Sequence, residues 1–304
     1  MMQTRRLPAE ALREEVPCDL CGGCDLEVWD WARGNRLVRC RGCGLVFTSP
    51  RLADPEQKGR LLYGSSYFEP PSRHTPQMQR ARARCYAAEA ELLERRWSGG
   101  RILEVGCGQG YFLASLGGQW EKHGSDISTY ALEGAARRGV RVHLGELENL
   151  EFGDLIFDVI CFRASLHHAY SPRRALLKAR SLLAPGGGLA ITMSNHRGGP
   201  CGALFRGRVR SYEQGHNYLF SRPTLAAYLV KAGFQLLETH YPYFGTGYES
   251  WRDFAALPRQ YARLWAMRWA GRQRDFATQD LASPPFWGNY LNLVARRTDH
   301  ENQS

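Results

Sequence analysis

"RILEVGCGQGYF", residues 101–112, carries an apolar run straight into a glycine-rich bend. The run reads as a strand, and the chain from Tyr111 onward as the helix that follows it. Bends of this kind commonly hold phosphate, which needs backbone N–H groups together with a lysine or a hydroxyl. Here an acid, Glu104, precedes Gly106, Gly108 and Gly110, and the stretch contains no lysine. The glycines let a ligand approach the backbone, and the acid suits a positively charged group. A ligand with an ammonium, a sulfonium and an adenosine fits this pattern.

Working outward, strand-like and helix-like segments alternate, which predicts a parallel sheet covered by helices. "KHGSDI" (122–127) is a second strand ending at Asp126, an acid placed to grip both ribose hydroxyls. "STYALEGAARRG" (128–139) is a helix opened by Ser128 and closed by Gly139, and "VRVHLG" (140–145) a third strand. "FDVICF" (157–162) is continuously apolar, as a strand covered on both faces must be. A helix capped by Ser171, with Pro172 at its first position, buries Ala175, Leu176, Ala179, Leu182 and Leu183 and stops at "PGGG". "LAITMSN" (189–195) is strand five. Ser221 caps a helix that ends at Gly233, and "FQLLETHY" (234–241) and "YLNLVARR" (290–297) complete the sheet.

These residues resemble the class I S-adenosylmethionine-dependent methyltransferases. "LEVGCGQG", "GSDIS", "GELENL" and "FDVICFRASLHH" look like the four motifs of that family, in order, and "LLAPGGGLAIT" like its following signature; the resemblance spans residues 101–297. It implies a doubly wound, Rossmann-like seven-stranded α/β sheet whose last strand runs antiparallel. It also implies that Glu104, Gly106, Cys107, Gly108 and Gly110 cradle the methionine part of S-adenosyl-L-methionine. Asp126 would hold the ribose, Ile127 would lie beside the adenine, and Glu146 or Leu147 would sit at the adenine edge.

The front of the chain asks for a metal. Five of the nine cysteines fall between Cys18 and Cys43. "CDLC" and "CRGC" set Cys18-x2-Cys21 and Cys40-x2-Cys43 eighteen residues apart, the spacing of a four-cysteine zinc site. Gly22 and Gly44 follow the second cysteine of each pair, and the segment between the pairs reads as a hairpin turning at "RGN" (33–35). Cys24 could pair with Cys21 but would leave Cys18 unused. With all four positions taken by cysteine, the predicted Zn2+ is structural. The front resembles that of bacterial small-molecule methyltransferases with an amino-terminal zinc ribbon, the sugar C-methyltransferases among them, in "CRGCGLVFTSP" (40–50). The expected organisation is a zinc ribbon over residues 1–50, a connector and helix over 51–98, and a methyltransferase domain over 99–300 with insertions at 197–220 and 245–287. Tyr63 and Tyr67, in the connector, could line a cleft, although tyrosines in such loops more often lie on the surface.

Composition bounds the partners. The net charge is +10, almost all from arginine, because lysine occurs only at Lys58, Lys122, Lys178 and Lys231. The charge is spread without long runs, so it requires neither nucleic acid nor an acidic substrate. No apolar stretch reaches membrane-spanning length and the start lacks an apolar leader core, which predicts a cytoplasmic protein without a membrane partner.

Methyl transfer needs a nucleophile held in line with the sulfonium, and a base where the acceptor carries a proton. His167 and His168, just past strand four, compete for the base with His216, which lies in the insertion after strand five near Glu213 and Tyr218; His240 is the weakest candidate. The sugar C-methyltransferases carry a similar histidine before Y-x-F-S, so the resemblance favours His216 over His168, although Gly215 stands where they have an acid. Cys107 reads as a small loop residue and Cys161 as core. In the second insertion, Tyr261, Trp265 and Trp269 recur at helical spacing among Arg263, Arg268 and Arg272, and an amphipathic helix packed on the sheet edge is preferred to a lid, a dimer face or a polyanion groove.

The predicted function is methylation of a small-molecule acceptor. The alternative is an RNA methyltransferase that grips nucleic acid with ribbon and arginines. Against it, the chain lacks an Asn/Asp-Pro-Pro-aromatic motif after strand four, and Pro200-Cys201 falls after strand five. A third class, an inactive ribbon adaptor, conflicts with the intact acids and glycines.

Overall fold

The computed structural model describes residues 13–32, 34–68, 75–194, 215–242 and 290–298, with single positions between 249 and 271. The front consists of β1 (Arg13–Glu14), β2 (Leu26–Ala32), β3 (Asn35–Cys40), β4 (Val46–Thr48) and β5 (Arg51–Leu52). Helices α1 (Pro55–Leu62), α2 (Ser65–Phe68) and α3 (Pro76–Glu94) lead into the main sheet. That sheet contains β6 (Gly100–Val105), β7 (Trp120–Asp126), β8 (Arg141–Leu144), β9 (Phe157–Arg163) and β10 (Leu183–Ser194). Helices α4 (Tyr111–Ser115), α5 (Thr129–Ala136) and α6 (Pro172–Leu182) lie between these strands. The short strand β11 (Tyr218–Leu219), helix α7 (Arg222–Lys231), β12 (Phe234–His240) and β13 (Tyr290–Arg297) complete the described elements.

The main sheet has seven strands in the order β12-β13-β10-β9-β6-β7-β8. β6, β7, β8, β9 and β10 run parallel, and β13 is antiparallel to both its neighbours. From β6 the chain builds outward through β7 and β8, then returns to place β9 on the other side. The gap between the carboxyl ends of β6 and β9 is therefore the switch point, where open α/β sheets bind ligands. The apolar run of β9 is buried as its composition requires, with Val159, Ile160, Cys161 and Phe162 all in the core.

Local chemistry sets the helix starts. The Ser128 side chain accepts from the Ala131 N–H at α5, and Ser171 accepts from Arg174 N–H at α6, with Pro172 following. Ser221 and Thr224 form a capping box at α7. Two expectations shift. α4 is only five residues long, and Leu183, expected on the inner face of α6, begins β10. Helix α6 does stop before "PGGG", but β10 runs straight through those residues, with a register shift between Leu183 and Gly188.

The cysteine module is not a separate bead. β11 pairs with β4 and so completes the four-stranded front sheet β11-β4-β3-β2 with a strand from beyond β10. Asp19, inside the first cysteine pair, accepts from Ser171 Oγ and the Arg173 N–H at the start of α6, and from Tyr228 OH on α7. Leu20 and Phe47 share one buried cluster with Phe162, Tyr218 and Tyr228. The docking is apolar at its centre and hydrogen-bonded around it. Among the described residues no helix is long and apolar enough to cross a membrane.

Candidate functional site

A cavity of about 520 Å³ opens at the switch point, walled by the glycine bend, β7, β9, α1–α3 and the turn after β9. Gly106 (φ +72°) passes so close to the turn after β9 that an added Cβ would come 2.5 Å from Ser165 Cβ; Gly110 (φ +73°) meets Ala135 of α5 at 3.0 Å. These two glycines are therefore demanded by the protein's own packing and backbone conformation, not by a ligand alone. Gly108 and Cys107 line the cavity, and burial pushes the Cys107 thiol far up, which suits a space-filler. Cys161 is fully buried core.

Glu104 is 2% exposed, and burial pushes its pKa up to about 7 against the pull of Arg163. The sequence suggested an acid without a cation. The structure corrects this: Arg163, the last residue of β9, lies 3.4 Å from Glu104 Oε1 and donates to Glu89 Oε2 of α3 at 2.5 Å. Its guanidinium rests 4.6 Å and 4.4 Å from the ring centres of Tyr86 and Phe112. Arg163 is shared between Glu89 and Glu104. The other oxygen of Glu104, Oε2, is buried and has no hydrogen-bond partner among the described residues. An acceptor stranded in this way is costly unless a donor arrives, and an ammonium group is such a donor.

Asp126 ends β7. Gly108 N–H donates to its Oδ2 and Ser128 N–H to its Oδ1, each at 2.9 Å, so the bend and the helix cap fix the carboxylate at the cavity wall. Burial raises its pKa, and those backbone donors work in the opposite sense. Ile127 and Leu147 line the same end, as does Glu146 at the start of a short 3-10 turn. Sequence reading missed the residue facing Glu146. Lys58 of α1 is buried, donates to His168 O at 2.6 Å and lies in the field of Glu146. Burial pushes the lysine down and the acid up, and each charge offsets part of the other's shift. The scarcity of lysine in this chain was the one signal available.

The rival histidines come together. The ring centres of His167, His168 and His216 lie 4.2, 4.4 and 4.7 Å apart. His168 lines the cavity; His216, 6% exposed, does not and stands behind it. His168 Nδ1 is 3.0 Å from Gly215 O and 2.9 Å from Tyr63 OH. A carbonyl can only accept, so Nδ1 carries the proton and Nε2 is the ring's acceptor nitrogen. Tyr63 is buried, not a surface tyrosine, and together with Tyr67, Phe68 and Tyr86 it makes an aromatic wall. The backbone around the histidines is tied to the front sheet: Thr48 Oγ1 donates to His216 O at 2.8 Å, and Thr48 N–H to Asn217 O. His240 sits on β12, hydrogen-bonded to Glu238 at 2.5 Å.

The thiol sulfurs of Cys18, Cys21, Cys40 and Cys43 gather within 4.8 Å of one another, with Cys18–Cys43 at 3.4 Å and Cys21–Cys40 at 3.5 Å. Tetrahedral zinc with thiolate bonds of about 2.3 Å separates its sulfurs by about 3.8 Å, so the donor set fits that ion. Cys24 is exposed and stays outside the cluster. Glu213, Tyr261, Arg263, Arg268, Arg272 and Pro200-Cys201 lie outside the described residues. Trp265 and Trp269 are 49% and 87% exposed, so these two rings are not buried against the sheet edge as the packed-helix reading requires.

A seven-stranded sheet with an antiparallel last strand, a glycine bend at its switch point and an acid closing the second strand define a class I methyltransferase. Comparison with known families gives the assignment. A family model described as a methyltransferase domain matches residues 77–239, more than half of the chain, and the chain belongs to that family. It is 28% identical over 180 residues to a ubiquinone biosynthesis O-methyltransferase of Xanthomonas euvesicatoria pv. vesicatoria, covering 53% of this chain and 71% of that protein. It is 30% identical over 149 residues to a tRNA U34 carboxymethyltransferase of Methylococcus capsulatus, covering 45% of each. The chain spans about half the length of the first curated relatives it matches. Among solved structures it is similar in fold to the Burkholderia thailandensis 1,6-didemethyltoxoflavin-N1-methyltransferase, with a TM-score of 0.53, 18% identity, and 90% and 100% of the two chains covered.

Proposed function

We propose that this protein transfers a methyl group from S-adenosylmethionine to a small-molecule acceptor, with the zinc ribbon bracing from behind the segment that carries His216. One observation carries the reading: a single cavity is lined both by Glu104, Gly108 and Asp126 and by His168, Tyr63, Tyr67 and Phe68. When bound, S-adenosylmethionine supplies an electrophilic methyl carbon on a sulfonium. Glu104 offers its unpartnered oxygen to the donor's ammonium, and Asp126, preset by two backbone bonds, takes the ribose hydroxyls. The aromatic wall excludes water, and His168 places an imidazole where the acceptor must lie. Holding the two reactants in line supplies most of the acceleration such a site needs.

The acceptor is favoured as small because Tyr63 between α1 and α2, Tyr67 and Phe68 of α2, and Tyr86 of α3 line the cavity with aromatic rings, whereas base methylation needs room for an extruded nucleotide. The family relationship and the names of the relatives support methyl transfer as the chemistry. The test is to incubate the protein with radiolabelled methyl donor and a bacterial extract split into a small-molecule fraction and an RNA fraction. Label is expected in the small-molecule fraction and insensitive to ribonuclease. Label confined to RNA would overturn the acceptor class while leaving the donor site intact.

A further inference from the structure

The three histidines that the sequence offered as rivals converge on one point, and that convergence needs explaining. His167 and His168 come from the turn after β9, and His216 from the segment before β11. Each places a ring nitrogen within 4.8 Å of the other two. His167 and His216 are 3% and 6% exposed, whereas His168 reaches the cavity.

Imidazole nitrogens sit about 2.1 Å from a bound first-row metal, which puts the ring centres roughly 3.2 Å from it; ligands at right angles then hold ring centres about 4.5 Å apart, and a tetrahedral set about 5.2 Å apart. The observed separations of 4.2, 4.4 and 4.7 Å lie nearer the right-angled set than the tetrahedral one. The orientation of His168 also agrees. Its Nδ1 donates to Gly215 O, which fixes Nε2 as the lone-pair nitrogen, the arrangement that ligating histidines take from a carbonyl in their second shell.

The backbones that carry the triad are braced on both sides. Asn217 N–H donates to His167 O at 2.9 Å, Asn217 Nδ2 to His168 O at 3.0 Å, and Thr48 Oγ1 to His216 O at 2.8 Å. The three backbone positions are thus fixed before any ligand arrives.

We propose that His167, His168 and His216 form a second metal centre, separate from the four cysteines, that takes an octahedral divalent ion of the manganese-to-nickel class at the acceptor wall. Three neutral ligands leave the ion its full positive charge, which acidifies and orients an acceptor hydroxyl bound to it. The centre replaces the single histidine base that the sequence suggested. It rests on the acceptor site proposed above, but metal binding is measurable without any acceptor.

Full-length protein stripped with chelator and loaded with Co2+ tests it. Cobalt on the cysteines shows sulfur-to-metal charge-transfer absorption, and cobalt on the histidines shows only weak ligand-field bands. The wild type is expected to bind one ion per chain more than His216→Ala, with the charge-transfer band unchanged between them. His167→Gln should behave the same way and guards against a local folding defect at residue 216. Affinity for that extra ion should fall more than the 10–100-fold that second-shell changes cost. S-adenosylmethionine affinity, measured by calorimetry, should stay within twofold of wild type in both variants. Equal cobalt counts in wild type and both variants would overturn the metal centre; loss of donor binding in the wild type would instead sink the methyl-transfer reading.

Discussion

Binding of S-adenosylmethionine should release a proton, and Glu104 is the reason. In the donor-free protein burial holds its pKa at about 7, so close to half of it is protonated at neutral pH. An opposite charge within a few ångströms lowers a carboxyl pKa by about 1–3 units. Taking a drop of about 2, to roughly 5, the donor's ammonium forces ionisation, and about half a proton per chain leaves at pH 7. The same linkage makes affinity rise about ninefold between pH 6 and pH 8, in the direction of the charged acid. Calorimetric titrations in buffers of different ionisation enthalpy count the proton directly. In Glu104→Gln the proton count should fall to zero and the pH slope from this group should vanish. At pH 8 affinity should drop by about 10- to 100-fold, the worth of a hydrogen bond to a charged group. Proton release that persists unchanged in the variant would refute the assignment, since the titrating group would lie elsewhere. Stability carries the opposite sign. A folded pKa raised from 4.5 to about 7 means that Glu104 favours the fold fully below pH 4.5, and that up to about 3 kcal/mol is lost as pH rises to 7. Glu104→Gln should flatten that part of the donor-free stability profile.

Asp126→Asn should weaken donor binding by about 10- to 100-fold, because it loses the charge in its bonds to the ribose diol; binding within twofold of wild type would remove Asp126 from the site. Thr48→Val leaves His216 O without its hydroxyl donor, so denaturant unfolding should show a loss of about 1–3 kcal/mol, and faster amide exchange is expected at Asn217 and Tyr218. Stripping zinc from the cysteines should lower the melting temperature and expose the paired amides of β4 and β11 to exchange, since the front sheet includes both strands. Exchange confined to residues 18–45 would show instead that the ribbon melts independently of the acceptor wall.

Much of this architecture was legible because its signals are local. Ser128, Ser171 and Ser221 open their helices as cap chemistry dictates, and the continuous apolar run of β9 reports burial on both faces. The cysteine spacing reported a cluster for the same reason, since ligands two residues apart need only one turn to meet. What was hidden depended on pairings far apart in the chain. Arg163 ends an apolar strand and gives no sign that it will sit on Glu104, 59 residues earlier. Nothing beside Lys58 in the sequence shows that α1 folds it under His168, 110 residues away. Tyr63 could be read either as lining a cleft or as a surface tyrosine, because its partner His168 comes from 105 residues further on.

The histidines show the same limit in its sharpest form. Considered one at a time, His168 and His216 are alternatives, because a single acceptor proton needs a single base. Their proximity is created by β11, a two-residue strand that leaves the methyltransferase fold to pair with β4 of the cysteine module. That pairing is short, yet it decides where His216 can be, because Thr48 holds the backbone carbonyls of His216 and Asn217 from the neighbouring strand. A ribbon that only decorated the surface would have no reason to share a core with Phe162 or to cap α6 through Asp19. The front module therefore helps to set the backbone around His216, and a change in its fold should be felt first at residues 215–219.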